Sequence, residues 1–204
     1  MDCDHGCWLG SYEYEKQRAF EKTVQEGDIV FDVGANVGFY TLLASALVGP
    51  RGRVVVFEPL PRNLRYLRQH LTRNHVDNVT VVEAAVADRT ADVRFEEGPS
   101  HAMGHISGKG LLQVQAVSLD EMVLAGKVPP PAVVKIDVEG AEGLVLKGAL
   151  EMLSLYHPAI FLATHSEELR RECWEILGSI AYALEHVPGM GLEGNDEVIG
   201  KWQA

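Results

Sequence analysis

The sequence predicts an α/β protein whose mostly parallel sheet carries helices on both faces. Three observations predict it. Short apolar runs at Ile29 to Val33, Val54 to Phe57, Val79 to Val82, Val133 to Ile136 and Ala159 to Ala163 alternate with stretches of helical periodicity, the pattern of repeated βαβ units. The runs are largely continuous rather than alternating with polar residues, as strands buried on both faces are. Acids stand at the ends of the first two, Asp32 before Gly34 and Glu58 after Phe57. Such ends, opening through a glycine turn into a helix, form ligand crevices in parallel sheets.

The elements follow in order. Ser11 to Gln25 reads as a helix carrying Tyr12, Ala19, Phe20 and Val24, and Gly27 ends it. A strand over Asp28 to Val33 leads to a helix from Phe39 to Val48, stopped by Gly49-Pro50, and to a second strand over Arg53 to Phe57. Leu60, Leu64, Leu67 and Leu71, spaced 4, 3 and 4 apart, mark one face of a helix from Leu60 to His75. Arg62, Arg65, Arg68 and Arg73 form its other, solvated face. Val79 to Val82 is a third strand. Val93-Arg94-Phe95 and Leu112 to Val117 read as short strands flanking a mobile loop from Gly98 to Gly110. A strand over Val133 to Asp137, one helix from Gly140 to Leu153, a strand over Ala159 to Ala163 and a helix from Ser166 to Leu177 come next. A strand pair near Tyr182 to Val187 and Glu197 to Trp202 completes the chain.

Composition bounds the function. A chain of 204 residues with 47% hydrophobic residues suits one globular domain. No apolar run approaches membrane-spanning length, and Met1 to Gly10 lacks the apolar segment of a signal peptide. Three cysteines imply no disulfide framework, so the expected location is the cytoplasm. A net charge of −11 argues against a nucleic-acid partner, which calls for a basic face. Nothing in the sequence indicates an oligomeric state.

The glycine turn narrows the cofactor. A dinucleotide site wants Gly-x-Gly-x-x-Gly, but Asn36 and Phe39 stand where the second and third glycines belong. A pyrophosphate needs that second glycine for close backbone approach, and Asp32 would repel it. The acid suits instead the ammonium and sulfonium of S-adenosyl-L-methionine. Glu58 is placed to accept the two ribose hydroxyls, and small residues after the third strand leave a slot for adenine. The expected cofactor set is Asp32, Gly34, Ala35, Asn36, Gly38, Phe39 and Thr41 from the first turn. Glu58 and Pro59, then Glu83, Ala84 and Ala85, and finally Asp137 come from the ends of later strands. The alternative is a dinucleotide oxidoreductase or a non-catalytic nucleoside binder of the same architecture.

Across Phe31-Asp32-Val33-Gly34-Ala35-Asn36-Val37-Gly38-Phe39-Tyr40-Thr41, Phe57-Glu58-Pro59-Leu60-Pro61 and Lys135-Ile136-Asp137-Val138-Glu139-Gly140-Ala141-Glu142, the chain resembles the FkbM-type S-adenosylmethionine-dependent methyltransferases. Val117-Ser118-Leu119-Asp120 and Tyr12-Glu13 extend the match in the family's order. The resemblance implies a Rossmann-like class I methyltransferase fold with a mostly parallel seven-stranded sheet whose last strand is reversed. It covers a single domain over 1–204, with residues 1–27 a helical segment and 28–204 the core. It also implies O-methylation of a hydroxyl on a sugar or natural-product small molecule, with S-adenosyl-L-homocysteine as product. One departure concerns catalysis. The family usually has an acid near the end of the strand reading Phe161-Leu162-Ala163-Thr164-His165. Here Ala163 stands there, so that acid is absent or moved to Glu167 or Glu168.

Two residues are the catalytic candidates. Asp137 ends a buried strand beside the crevice, between cofactor and acceptor; its structural alternative is to cap the helix near Gly140, as Glu139 and Glu142 do through the dipole. His165 ends the next strand and titrates near neutral pH, which suits a general base. His101 and His105 lie in the glycine-bearing loop, where solvation accounts for them. Asp137, Glu139 and His165 are also ligand types for Mg²⁺ or Mn²⁺, but a metal is not favoured without a second ligand cluster. Cys3-Asp4-His5-Gly6-Cys7 offers only one ligand pair, so zinc is not expected.

Overall fold

Continuous apolar runs can be buried on both faces only in a sheet covered on both sides, and the computed structural model contains that sheet. It describes residues 13–97, 104–106, 110, 112–187 and 196–203. The strands are β1 (Ile29–Val33), β2 (Arg53–Phe57), β3 (Val79–Val82), β4 (Ala85–Val86), β5 (Ala91–Glu97), β6 (Gly104–Ile106), β7 (Leu112–Val117), β8 (Val133–Ile136), β9 (Ala159–Thr164), β10 (Tyr182–His186) and β11 (Asp196–Trp202). The helices are α1 (Tyr14–Thr23), α2 (Phe39–Val48), α3 (Pro61–Arg73), α4 (Leu119–Leu124), α5 (Glu142–Lys147), α6 (Leu150–Tyr156) and α7 (Glu167–Ser179).

Seven strands pair in the order β10-β11-β9-β8-β1-β2-β3. β3, β2, β1, β8 and β9 are parallel, whereas β11 runs antiparallel to both β9 and β10. The last strand is thus reversed, as the resemblance implies. β1 has β2 on one side and β8 on the other, so the chain reverses its direction of growth there and the carboxyl ends of β1, β2 and β8 leave a crevice. Side chains alternate between two cores. Phe31, Val55 and Phe57 enter one apolar cluster, while Val30, Val54 and Val56 enter the other with Phe20 of α1 and Phe161 of β9. Among the described residues no helix is long and apolar enough to cross a membrane.

One expectation is corrected and the smaller elements are filled in. The helix expected over Gly140 to Leu153 is two, α5 and α6. Gly148 lies so close to the segment after β4 that a Cβ on it would stand 2.1 Å from the Ala87 carbonyl oxygen. Its own carbonyl accepts from Asp120 N at 2.8 Å and Ser118 Oγ at 2.9 Å, which turns the chain between the helices. The two short strands expected on either side of the glycine-bearing segment are present as β5 and β7; they pair antiparallel in a second sheet ordered β4-β7-β5-β6, and β6 stands within the span expected as loop. β4 and α4 are additions, α4 being capped by Ser118, whose Oγ accepts from Glu121 N. Residues 98–103 and 107–109 of the glycine-bearing loop, with His101, lie outside the described residues, as do Tyr12 and the Cys3 to Cys7 segment.

Candidate active site

The crevice begins with backbone. Gly34 has φ +79, and a Cβ on it would lie 1.9 Å from the Asp137 carbonyl oxygen, so the turn after β1 presses directly on the end of β8. Only glycine allows both the left-handed conformation and the approach. Gly38, φ +93, precedes α2 with Leu67 of α3 against it. Between them Asn36 is also left-handed, φ +53. The turn is tied to β2: Gly34 N donates to the Phe57 carbonyl at 3.0 Å and Asn36 N to Glu58 Oε2 at 2.8 Å.

Glu58 is therefore part of the loop's architecture. Its other oxygen, Oε1, accepts from Leu60 N at 2.9 Å and Asn63 Nδ2 at 3.3 Å. Burial with no cation beside it raises its pKa to about 7, against the lowering effect of those three donors. A carboxylate has about four acceptor positions, of which these three donors occupy three. The Asn36 Oδ1 is buried with no partner among the described residues.

Asp32 and Thr41 lie beneath the turn, both buried, with Thr41 Oγ1 donating to Asp32 Oδ2 at 2.6 Å. They support the loop from below. Glu83 is exposed and paired with Arg68. Ala84 packs in the core cluster of Phe31 and Phe57, and Ala85 packs with Leu60. Their small side chains are thus explained by core packing, and the slot expected for adenine has only their backbone to offer. Gly34, Asn36, Phe39 and Pro59 are partly exposed, whereas Ala35 and Gly38 are buried.

A second cluster occupies the ends of β8 and β9. Lys135, buried in β8, lies 3.5 Å from Asp32 Oδ1 and 3.4 Å from Asp137 Oδ2 and donates to the Gly34 carbonyl at 3.3 Å. Burial opposes its charge, but Asp137 and Asp32 outweigh that and hold its pKa above the usual lysine range. Lys16, delivered by α1, pairs with Glu197 of β11 at 2.5 Å and with Glu13 at 3.2 Å, and reaches Asp137 Oδ2 at 4.0 Å. Burial pushes the Asp137 carboxyl upward, yet Lys135, Lys16 and His165 prevail and hold it below the ordinary value. Tyr40 Oη donates to Glu13 at 2.9 Å, and both ammonium groups lie over the Tyr40 ring.

His165 follows β9. Its Nδ1 is 2.7 Å from Oε1 of fully buried Glu142, while Nε2 is 3.3 Å from Glu139 Oε2 and 3.6 Å from Asp137 Oδ1. The bond to Glu142 raises the imidazole pKa against burial, with Glu139 and Asp137 adding to it. The ring is thus held among three carboxylates rather than standing free. Burial also raises the Glu139 carboxyl.

The acid expected near Ala163 is not supplied by Glu167 or Glu168, which are exposed in the first turn of α7. Glu197 stands in register with Ala163 on the neighbouring strand, and directly opposed residues share a face. Sequence reasoning missed Lys16, Lys135, Glu197, Glu142 as a histidine partner, and Asn63. One signal was present: a lysine inside the apolar run Val133-Val134-Lys135-Ile136 requires a buried counter-charge.

Comparison with known proteins agrees with this geometry. Residues 32–187 match the Methyltransferase FkbM domain. Over 143 residues the chain is 33% identical to hexuronic acid methyltransferase AglP of Haloferax volcanii, covering 69% of this chain and 58% of that protein. The chain thus spans less than two thirds of that curated relative's length. Among solved structures, the FkbM methyltransferase of Methylobacillus flagellatus superposes with a TM-score of 0.64 at 17% identity, over 95% of this chain and 52% of that one. Aeropyrum pernix fibrillarin, solved with natively bound S-adenosyl-L-methionine, gives 0.56 at 15% identity, over 88% and 68% of the two chains. These two show that the fold is that of class I methyltransferases. With the family match spanning most of the chain, this protein belongs to the FkbM methyltransferase family.

Proposed function

We propose that this chain is an S-adenosyl-L-methionine-dependent O-methyltransferase whose acceptor is a hydroxyl of a sugar-type or natural-product small molecule. The observation that carries the reading is the acid-lined crevice at the switch point, where the Gly34 turn lies against Asp137 and Glu58 keeps one open acceptor position. The residues fit the cofactor chemically. The rim is rich in carboxylates, as a sulfonium and an ammonium require, and the unpartnered Asn36 Oδ1 offers a further acceptor. In this reading Glu58 takes a ribose hydroxyl, the backbone of Glu83 to Ala85 borders the base, and the Asp32–Thr41 pair holds the turn in shape. When bound, S-adenosyl-L-methionine supplies a methyl carbon activated by its sulfonium.

Asp137 and His165 are the proposed catalytic groups: they hold the acceptor oxygen and take up the charge of its deprotonation. Such positioning is worth up to about 7–11 kcal/mol, and handling the proton another ~10²–10⁴-fold in rate. The similarity to a hexuronic acid methyltransferase supports a sugar-type acceptor, and the net charge of −11 favours a small molecule over nucleic acid.

The test has two stages. Calorimetry should show binding of S-adenosyl-L-homocysteine and none of NAD; binding of NAD alone would return the chain to the oxidoreductase reading. Incubation with labelled cofactor and a panel of sugars and uronic acids should then give an alkali-stable methyl ether. An alkali-labile ester would instead make a carboxylate the acceptor. His165→Ala should lower turnover by roughly 10²–10⁴-fold and leave S-adenosyl-L-homocysteine affinity nearly intact.

A further inference from the structure

We propose that Asp137, Glu139 and His165 form a divalent-cation site of the Mn²⁺ type in the acceptor half of the crevice. The proposal rests on reading that rim as the acceptor's site and deepens it by naming what offsets the negative charge there. One ligand atom from each of the three residues lies within 4.8 Å of the others. An octahedral ion with bonds of about 2.1 Å sets neighbouring ligands about 3 Å apart. The Nε2 distances of 3.3 Å to Glu139 and 3.6 Å to Asp137 need close by only tenths of an ångström.

The orientation of the ring points the same way. Buried Glu142 holds Nδ1 at 2.7 Å and so fixes the ring with Nε2 facing Asp137 and Glu139. Two carboxylate oxygens and Nε2 thus lie close together, a grouping that a positive charge among them stabilises. A carboxylate that fixes a histidine through its second nitrogen is the usual outer-shell arrangement of a metal ligand. Asp137 is divided accordingly: Oδ2 faces Lys135 and Lys16, and Oδ1 faces His165.

The three ligands are partly exposed, with side-chain exposures of 26%, 33% and 19%. That leaves one side open to water and to acceptor oxygens, as a catalytic site needs and a closed structural site does not. Mixed carboxylate and imidazole ligation favours Mn²⁺ over Mg²⁺, which prefers an all-oxygen shell. A cation here would orient an acceptor hydroxyl, or a vicinal pair, and lower its pKa. The competing occupant is a proton: an imidazolium would satisfy the same carboxylates.

Chelator-treated full chain should be titrated with MnCl₂ and followed by the EPR signal of free Mn²⁺. Saturable binding below about 1 mM, weakened about tenfold or more in Glu139→Gln with an unchanged melting profile, supports the site. Nitrogen NMR of the His165 ring should show Nε2 unprotonated and shifted by added metal at pH 7. Absence of saturable binding, equal binding by wild type and Glu139→Gln, or a doubly protonated ring unaffected by Mn²⁺ would overturn it. S-adenosyl-L-homocysteine calorimetry on the same samples separates the two readings. Cofactor binding without Mn²⁺ binding removes the cation alone, whereas loss of cofactor binding removes the methyltransferase reading beneath it.

Discussion

Glu58 is the residue at which folding and ligand chemistry meet, because the donors that shape the turn are the ones that hold its carboxylate. Its hydrogen bonds from Asn36 N, Leu60 N and Asn63 tie the ends of β1 and β2 to the start of α3. A charge-assisted hydrogen bond to a ribose hydroxyl contributes roughly 1.5–3 kcal/mol. Glu58→Ala should therefore weaken S-adenosyl-L-homocysteine binding at least about tenfold in calorimetry; an unchanged Kd in a folded variant would remove the assignment. The same carboxyl makes stability depend on pH. An acid raised from 4.5 to about 7 stabilises the fold below 4.5 and loses that contribution as pH rises through 7. His165, raised above 6.5 chiefly by its bond to Glu142, acts in the same direction: its contribution is present below 6.5 and lost above its folded value. Asp137, held below its ordinary value, opposes them only once the pH falls below about 4. Urea denaturation of ligand-free protein should thus show greatest stability near pH 5 and a loss of up to about 3 kcal/mol from Glu58 by pH 8. A flat profile across that range would mean that Glu58 is solvated rather than buried.

Elements were legible where their signal is local. β1, β2, β3, β8 and β9 each announce themselves as apolar runs, and α3 by its leucine spacing. The break between α5 and α6 was not, because its cause is the approach of Gly148 to Ala87, a neighbour distant in sequence. The pairing of β5 with β7 is likewise a non-local choice that alternation within either run does not encode. Gly148 makes the difference measurable. Replacing glycine by alanine in helix-like backbone ordinarily stabilises by up to about 1 kcal/mol. At Gly178, near the end of α7, a Cβ would meet nothing within 4 Å, so Gly178→Ala should follow that rule. At Gly148 the Cβ would meet the Ala87 carbonyl, so Gly148→Ala should destabilise despite its better helix propensity. Denaturation midpoints of opposite sign for the two variants are expected; a stabilising Gly148→Ala would mean that the contact with Ala87 is loose.

Across the whole molecule, buried charge joins segments that the sequence keeps far apart. Lys16 and Glu197 are separated by 181 residues yet form one pair, and the network runs on through Asp137 and Lys135 to Asp32 beneath the cofactor turn. Glu197, near the start of β11, was not legible; Asp32, Glu58 and Asp137 were, because each stands at the end of a strand at the crevice. Their counter-charges were not, because Lys16 lies on a helix whose docking depends on Phe20 packing against Tyr40 and Phe161. The crevice is therefore assembled only when α1, β1, β8 and β11 are all in place. Lys135→Met tests that coupling. Removing one partner of a buried ion pair costs about 3–5 kcal/mol, because the other charge stays buried and uncompensated. Here Asp32 would lose its paired cation, and Asp137 would keep only Lys16 at 4.0 Å and His165. Without Lys135, the Asp137 carboxyl loses the largest of the groups that favour its ionised form, and the stability it contributes above pH 3.8 in the wild type is reduced. The variant's deficit should thus be largest at neutral pH and shrink toward pH 4 as the stranded carboxylates take up protons. Adding Asp137→Asn to Lys135→Met should recover part of the loss, giving a coupling energy of about 1 kcal/mol or more in a double-mutant cycle. A deficit independent of pH, with additive single variants, would mean that Lys135 acts by packing its stem and that the site's charges are set independently of one another.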